Sequence, residues 1–411
     1  MTLKQAKRTR HTAYYSSLSC ASAFVMQSLL FVTFREMYGI SYTLLGTLVL
    51  VSFCTQLGID LLFSFFTRFF NPHQCLRYMP LLTTTGLIVY GLAPTLFPQH
   101  VYVGLLIGTV LFSMAAGLGE VLVSPLVAAL PSETPERDMS KLHSMYAYGV
   151  LAATVISTVY LRIFGVENWM YLVFFWALPP VLTCILFCTC QLPPMDVSHG
   201  EEQGGGILRR WDMWLCVVCI FLGSAAENTM TNWVSSYMEK ALGISKVVGD
   251  ILGLAAFAVL LGLGRTLYAQ YGKNIHRVLL WGMIGSVVCY AVVGLSDLAI
   301  LTLPACMLTG FCTSMLWPGM LIYMEEHIPA PGVAAYALMA AGGDFGASVA
   351  PQLMGVVVDT VAASRWAVSL GDALSYTPEQ LGMKVGMLVT VLFPLVGAVL
   401  LLYMKKRFSK R

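Results

Sequence analysis

The stretch Val385–Met404, VGMLVTVLFPLVGAVLLLYM, carries no charged residue over the length of a membrane-spanning helix. A helix needs about 20 predominantly apolar residues to cross the hydrocarbon core of a bilayer. Apolar stretches of similar length recur along nearly the whole chain, separated by short polar breaks. Charged residues make up only 11% of the 411 residues and hydrophobic ones 57%, whereas a water-soluble domain needs more surface charge. The sequence therefore predicts a polytopic helical membrane protein.

Twelve spans account best for this pattern. Two of the predicted spans, Val278–Leu295 and Leu298–Tyr323, are separated only by Ser296 and Asp297. The fold class predicted is an all-α membrane protein with twelve transmembrane helices in two six-helix bundles. The predicted spans are Ala13–Phe34, Tyr42–Phe66, Leu76–Pro94, Val101–Leu130, Leu142–Phe164, Trp169–Cys190, Met213–Met238, Val247–Ala269, Val278–Leu295, Leu298–Tyr323, Val333–Val358 and Val385–Met404.

A polar linker divides the chain into halves that share a pattern. Residues 191–211 are rich in proline and glycine, which predicts a flexible linker between bundles at 1–190 and 212–411. Gly117 and Pro125 in the fourth span are spaced like Gly310 and Pro318 in the tenth. Other short matches recur at similar offsets. A six-plus-six duplication is typical of transporters that bind their solute between two halves.

The positive charges predict the orientation. About three-quarters of the 24 Lys and Arg residues fall on the side of the termini, which the positive-inside rule places in the cytoplasm. We expect a monomer in the inner or plasma membrane, with its first span uncleaved. The net charge of +3 gives no sign of a nucleic-acid partner. The basic tail Lys405–Arg411 signals topology, with contact to anionic lipid as the alternative.

Motifs for other kinds of chemistry are missing from the sequence. It lacks the signatures of zinc proteases and serine hydrolases, and it lacks a nucleotide-binding loop, so we expect neither an enzyme nor ATP-driven transport. Cys216 and Cys219 have metal-like spacing but lie among valines in a helix with no histidine nearby. We therefore expect no metal and no cofactor.

Several motifs resemble the major facilitator superfamily, in particular its fucose, galactose and glucose permeases. This resemblance implies two six-helix bundles, sugar transport and a proton-carrying glutamate in the fourth span, here Glu120. The comparable stretch of the first span, around Gln27, has no carboxylate, which leaves the coupling ion and the solute open. The matching residues are Ala116–Glu120, Ser124, Pro125, Ala226–Asn228, Trp233, Tyr237, Ser314–Pro318, Gly342, Gly343, Ala350 and Pro351.

Four ionisable residues inside the apolar runs are candidates for coupling and gating, since intramembrane charges need a partner, a cavity or a proton. Glu120 suits reversible protonation, with a structural hydrogen bond as the alternative. Asp344 follows small residues and is either a second titrating group or a structural partner. Asp60 and Arg265, near the cytoplasmic ends of corresponding spans, are interpreted as gate or interdomain charges rather than as solute contacts.

Polar and aromatic residues in the spans are candidates for binding the solute. Glu227 and Asn228 lie one turn before Trp233, and acid, amide and indole groups together suit a polyhydroxylated ligand. The alternative is a polar contact that holds helices together. Further candidates, each with a structural alternative, are Gln27, Trp317, Tyr146 and Tyr148.

Together these features predict a secondary active transporter that moves a sugar or related polyol by alternating access, coupled to protons. Its partners would be the solute, protons and the lipid bilayer. The alternative is proton-coupled efflux of a more hydrophobic compound or drug, which the aromatic residues of the spans also permit.

Overall fold

The protein is built from helices, as the predicted fold class requires. The computed structural model describes residues 1–66, 69–133, 135–195, 210–328 and 332–408, and these ranges contain no strand. Within them, eleven helices are long and apolar enough to cross a membrane. A twelfth arises if Leu3–Leu29 and Phe31–Tyr38, bent by 46° at their junction, form one span. The structure therefore confirms an all-α membrane protein.

The chain forms two compact units. Unit 1 comprises Met1–Thr33 and Val51–His199, and unit 2 comprises Phe34–Leu50 and Gly200–Arg411. The segment Phe34–Leu50 precedes most of unit 1 in the chain, yet it belongs to unit 2. Much of the predicted linker, residues 196–209, lies outside the described residues, so the boundary at 191–211 stays a prediction.

Unit 1 packs its helices around a core to which α1, α4, α5, α6 and α8 contribute. A Cβ at Gly86 of α4 would lie 2.7 Å from the Phe112 nitrogen of α5, so these helices approach backbone to backbone. Helices of the first half, numbered along the chain, are α1 Leu3–Leu29, α2 Phe31–Tyr38, α3 Tyr42–Phe66, α4 Pro72–Leu96, α5 Val101–Ala128, α6 Pro135–Phe164, α7 Trp169–Trp176 and α8 Leu178–Thr189.

Unit 2 has a methionine-rich core along α9, α12, α14, α15 and α18. Gly342 of α15 packs against Val217 of α9, where a Cβ would lie 2.8 Å from the valine side chain. Helices of the second half are α9 Trp211–Leu242, α10 Lys246–Val248, a π-helical turn Gly249–Ala255, α11 Ala256–Tyr271, α12 Ile275–Leu295, α13 Ala299–Thr313, α14 Pro318–His327, α15 Gly332–Ala362, α16 Arg365–Leu374, α17 Pro378–Thr390 and α18 Leu392–Phe408.

Five predicted spans are interrupted where the backbone hydrogen bonding changes. The first breaks at Leu30, and the twelfth, Val385–Met404, breaks at Val391. The predicted span Trp169–Cys190 breaks at Ala177, because the prolines that follow lack the N–H needed to continue α7. The tenth span breaks between α13 and α14, and Pro318 starts the second piece. The eighth span begins with the π-helical turn Gly249–Ala255. Ser296 and Asp297 do separate two helices, as predicted.

Candidate functional site

Two acidic side chains of unit 1 lie side by side. Asp60 of α3 and Glu120 of α5 have carboxylate oxygens within 4.8 Å of each other, within reach of a hydrogen bond. Each residue lies one to two turns before the carboxyl end of its helix. A carboxylate is only an acceptor, so a hydrogen bond between the two groups requires a proton on one of them. The sequence analysis assigned these two acids to different roles, and the structure brings them together.

Glu120 is accessible although it lies within the apolar window of a span. Its carboxylate acts electrostatically on Cys20 of α1 as well as on Asp60. Glu120 therefore lies close to both α1 and α3. Such a position suits a group that exchanges protons with a water-filled cavity.

Gln27 and the two tyrosines occupy different environments in unit 1. Gln27 is buried, and its amide nitrogen donates to the Thr109 hydroxyl of α5 at 3.1 Å, which ties α1 to α5. Tyr146 and Tyr148 are exposed on α6. Residues two apart on a helix point in nearly opposite directions, so at most one of the tyrosines faces a given cavity.

The predicted binding acid of unit 2 is paired with the predicted gate cation. Arg265 of α11 lies 3.4 Å from Glu227 Oε1 of α9, and its Nε donates to the Ser314 carbonyl at 3.0 Å. Ser314 belongs to the break in the tenth span. The other carboxylate oxygen, Glu227 Oε2, is buried and accepts no hydrogen bond from the described residues. Asn228 donates to the Ser224 carbonyl at 3.1 Å, which leaves its own amide oxygen as an acceptor.

The two tryptophans have different surroundings. Trp317 is half-buried in the break of the tenth span, and its indole lies against Gly343, one residue before Asp344. Trp233 is fully buried, donates its indole N–H to the Pro351 carbonyl at 3.0 Å and packs on Tyr42. The buried indole of Trp233 holds helices together in this conformation, and its contact with the solute stays a prediction.

Buried charges near the helix ends did not stand out in the sequence. Asp250, in the π-helical turn, is fully buried, accepts a hydrogen bond from Ser235 and lies 3.5 Å from Lys246. Lys384 is 4% exposed and lies 2.7 Å from Asp297. Both acids lie at or near span boundaries, where charge is common and gives little signal.

Asp297 sits in a loop and its surroundings fix its charge. Hydrogen bonds from Lys384 and from the Tyr376 hydroxyl hold the pKa of Asp297 below its ordinary value, against the effect of burial. The same hydrogen bond raises the pKa of Tyr376 to about 12. Asp297 is therefore ionised at neutral pH, while the Tyr376 hydroxyl keeps its proton and donates it to the carboxylate.

Charged contacts fasten the segment Phe34–Leu50 within unit 2. The Asp359 carboxylate accepts from the first two backbone amides of α3, Tyr42 at 3.2 Å and Thr43 at 2.6 Å. The Tyr42 hydroxyl donates to Glu379 at 2.6 Å, and Lys240 pairs with Glu36. The sequence analysis missed this group because each contact joins residues far apart in the chain.

Comparison with known proteins establishes the family. The sequence profile described as Major Facilitator Superfamily matches residues 14–351, well over half of the chain. The chain belongs to the Major Facilitator Superfamily. Members of this family are membrane transporters and not enzymes, which agrees with the sequence analysis.

The sequence identity to a curated relative is low. The membrane protein MosC of Rhizobium meliloti is 26% identical over 235 residues, which cover 56% of this chain and 54% of MosC. The chain thus spans about half the length of that curated relative.

Solved structures share the fold. A bacterial homologue of the human lysosomal transporter Spinster, inward-facing and unoccupied, matches with a TM-score of 0.76 and 11% identity over 100% of this chain and 99% of that one. A D-xylose–proton symporter matches with a TM-score of 0.71 and 15% identity over 94% and 96% of the two chains. These likenesses support the fold alone.

Proposed function

We propose that this transporter moves a small polar solute, a sugar or related polyol, together with protons. The protein would lie in the inner or plasma membrane with both termini in the cytoplasm, and it would work as a monomer by alternating access. The observation that carries the proposal is the pair of acids Asp60 and Glu120 on an accessible face of unit 1.

The pair can hold a proton and release it in response to its surroundings. With one proton the two carboxyls share a hydrogen bond. Without it, two negative charges lie within 4.8 Å, and their repulsion amounts to about 3–4 kcal/mol at an effective dielectric constant of 20. A change that moves the helices apart or admits water therefore changes the proton affinity of the pair. That link between geometry and protonation is what a proton-coupled transporter needs.

Unit 2 offers groups that suit hydroxyls. Glu227 Oε2 is a buried acceptor without a hydrogen bond from the described chain, and a solute hydroxyl would supply one. One residue on, the Asn228 side chain carries an amide oxygen that can accept a hydrogen bond, and the half-buried Trp317 offers a ring face to C–H groups. We include Gln27 and either tyrosine of α6 as further candidates for the solute, and Asp344 as a second candidate for proton coupling.

The resemblance to fucose, galactose and glucose permeases favours a sugar, and one neighbour in fold is a D-xylose–proton symporter. The solute is identified by uptake, with purified protein in liposomes and a panel of pentoses, hexoses and polyols under an imposed pH gradient. A drug exporter would instead expel a hydrophobic dye and would transport none of the pentoses, hexoses and polyols.

The variant Glu120→Gln tests the coupling. We expect it to abolish accumulation driven by the pH gradient while solute exchange across the membrane continues. Glu133→Gln, at an exposed loop acid, is the matched control and should leave both activities unchanged. Gradient-driven accumulation at the wild-type level in Glu120→Gln would reject the role of the pair.

A further inference from the structure

A cavity of about 390 Å³ opens where three helices of unit 2 end. It lies at the start of α12 and at the carboxyl ends of α14 and α18. Four basic or imidazole side chains line it, and no carboxylate does so among the described residues. These side chains are His276, Arg277, His327 and Lys405.

Aromatic packing fixes the two imidazoles. The Tyr323 ring lies 4.2 Å from that of His327 and 5.7 Å from that of His276, between centroids. The Phe408 ring also packs here, with its centroid 4.8 Å from that of the His327 ring. His327 Nδ1 lies 2.8 Å from the Tyr323 carbonyl oxygen, so this nitrogen carries a proton and donates it, which leaves Nε2 for another partner.

The His276 imidazole has no hydrogen-bond partner among the described residues. Both of its ring nitrogens are buried, and neither has a hydrogen-bond partner in the described part of the chain. A buried polar atom without a partner is unfavourable and is retained where something else satisfies it. Lys405 lines the same cavity and brings an ammonium group close to the imidazole of His276. An anion in the cavity would accept a hydrogen bond from this imidazole and balance the charge of Lys405.

The donors point to a particular class of anion. Guanidinium, ammonium and imidazole N–H groups together suit phosphate, which offers several acceptor oxygens and at least one negative charge. A space of about 390 Å³ holds roughly a dozen water molecules and therefore a phosphate group with part of what is attached to it. Basic pockets between helices at the membrane surface suit anionic headgroups.

We propose that this cavity binds the phosphate group of a phosphate ester, with Arg277 and Lys405 as its ionic partners and the two imidazoles as hydrogen-bonding partners. An anionic lipid or a soluble phosphate ester would supply the group. The site is separate from the residues proposed for the transported solute. The phosphate proposal can therefore be tested independently of the proposed transport function.

The test uses the purified full-length protein in detergent and native mass spectrometry. Dioleoylphosphatidic acid and dioleoylglycerol are the matched probes, since they differ only in the phosphate. We expect the protein to retain the phosphatidic acid and not the dioleoylglycerol. Glycerol phosphate separates the two sources: competition at similar concentrations indicates a soluble ester, and failure to compete indicates the lipid.

Four variants locate the binding. Arg277→Gln and Lys405→Gln should each weaken binding of the phosphatidic acid about tenfold, the loss of one charge-assisted contact. Lys273→Gln and Lys406→Gln remove the same charge from exposed neighbours that do not line the cavity, and they should bind like the wild type. Equal retention of both lipids without binding of glycerol phosphate would overturn the proposal, as would an equal loss in Lys406→Gln and Lys405→Gln.

Discussion

The Asp359 carboxylate at the start of α3 gives the sharpest quantitative prediction. The first N–H groups of a helix have no partner within the helix, and here Asp359 accepts those of Tyr42 and Thr43. The Ser41 hydroxyl accepts the next free amide, from Leu44, at 3.2 Å. The negative charge also interacts favourably with the positive end of the α3 dipole. Asp359→Asn removes this charge while the side chain keeps its size.

The expected magnitude follows from the hydrogen bonds. Two bonds to a charged acceptor contribute about 1.5–3 kcal/mol each, whereas the asparagine oxygen can keep one neutral bond of about 0.5–1.5 kcal/mol. Allowing for the half-buried setting, we expect a loss of about 2–3 kcal/mol in the free energy that holds this helix start in place. That loss corresponds to a roughly 30- to 150-fold rise in the population of the open form.

Hydrogen–deuterium exchange measures the effect on the purified protein. The amides of Tyr42 and Thr43 should exchange faster in Asp359→Asn by that factor. Glu379→Gln is the matched control. Glu379 accepts the Tyr42 hydroxyl and lies 3.7 Å from Arg35, and a neutral amide oxygen can still accept from that hydroxyl. The reasoning fails if the two amides exchange at the wild-type rate in Asp359→Asn, or if Glu379→Gln accelerates them equally.

Two further predictions concern charge pairs, one in each unit. Glu227→Gln and Arg265→Gln should each lower the initial rate of uptake into liposomes tenfold or more. Exchanging the two charges within one protein should restore part of this transport, and no recovery would show that the residues act separately. At Asp138, burial raises the pKa, but hydrogen bonds from Ser132 and Tyr14 and the charge of Arg10 outweigh it and lower the pKa. Its stabilisation is therefore present above the unfolded-state pKa of about 3.9 and is lost as the pH falls through the lower folded value. Asp138→Asn should lower the melting temperature at neutral pH, by about 2–4 °C per kcal/mol, and the difference should vanish in acid; a difference that persists there would contradict this.

The fold was predictable because apolar length is a local property. Any window such as 385–404 shows by itself that its helix can cross a bilayer, and no knowledge of its neighbours is needed. Interruptions were harder to predict, since a proline breaks one span and only bends another. Pro318 starts a new helix, whereas Pro125 lies inside α5 without ending it. Which outcome occurs depends on whether neighbouring helices satisfy the freed carbonyl groups.

The candidate site was predictable residue by residue but not pair by pair. Glu120, Glu227 and Arg265 stand out because charges are rare in apolar runs. Their partners do not stand out, since 38 residues separate Glu227 from Arg265 and only the packing of α9 against its neighbours brings them together. Asp359, by contrast, was not recognised as a functional residue at all. Its position near the end of a span gave no signal, although it caps a helix from a different part of the chain.

The nature of each partner suggests how the two halves of the transport cycle divide between the units. Glu227 lies beside an arginine, which neutralises its charge without a proton and leaves Oε2 available to a hydroxyl. Glu120 lies beside a second acid, and a hydrogen bond between the two carboxyls requires a proton on one of them. A proton that enters or leaves unit 1 therefore changes the local charge, whereas a neutral solute at Glu227 does not. On this basis we assign the response to the pH gradient to the acids of unit 1 and the choice of solute to the polar face of unit 2.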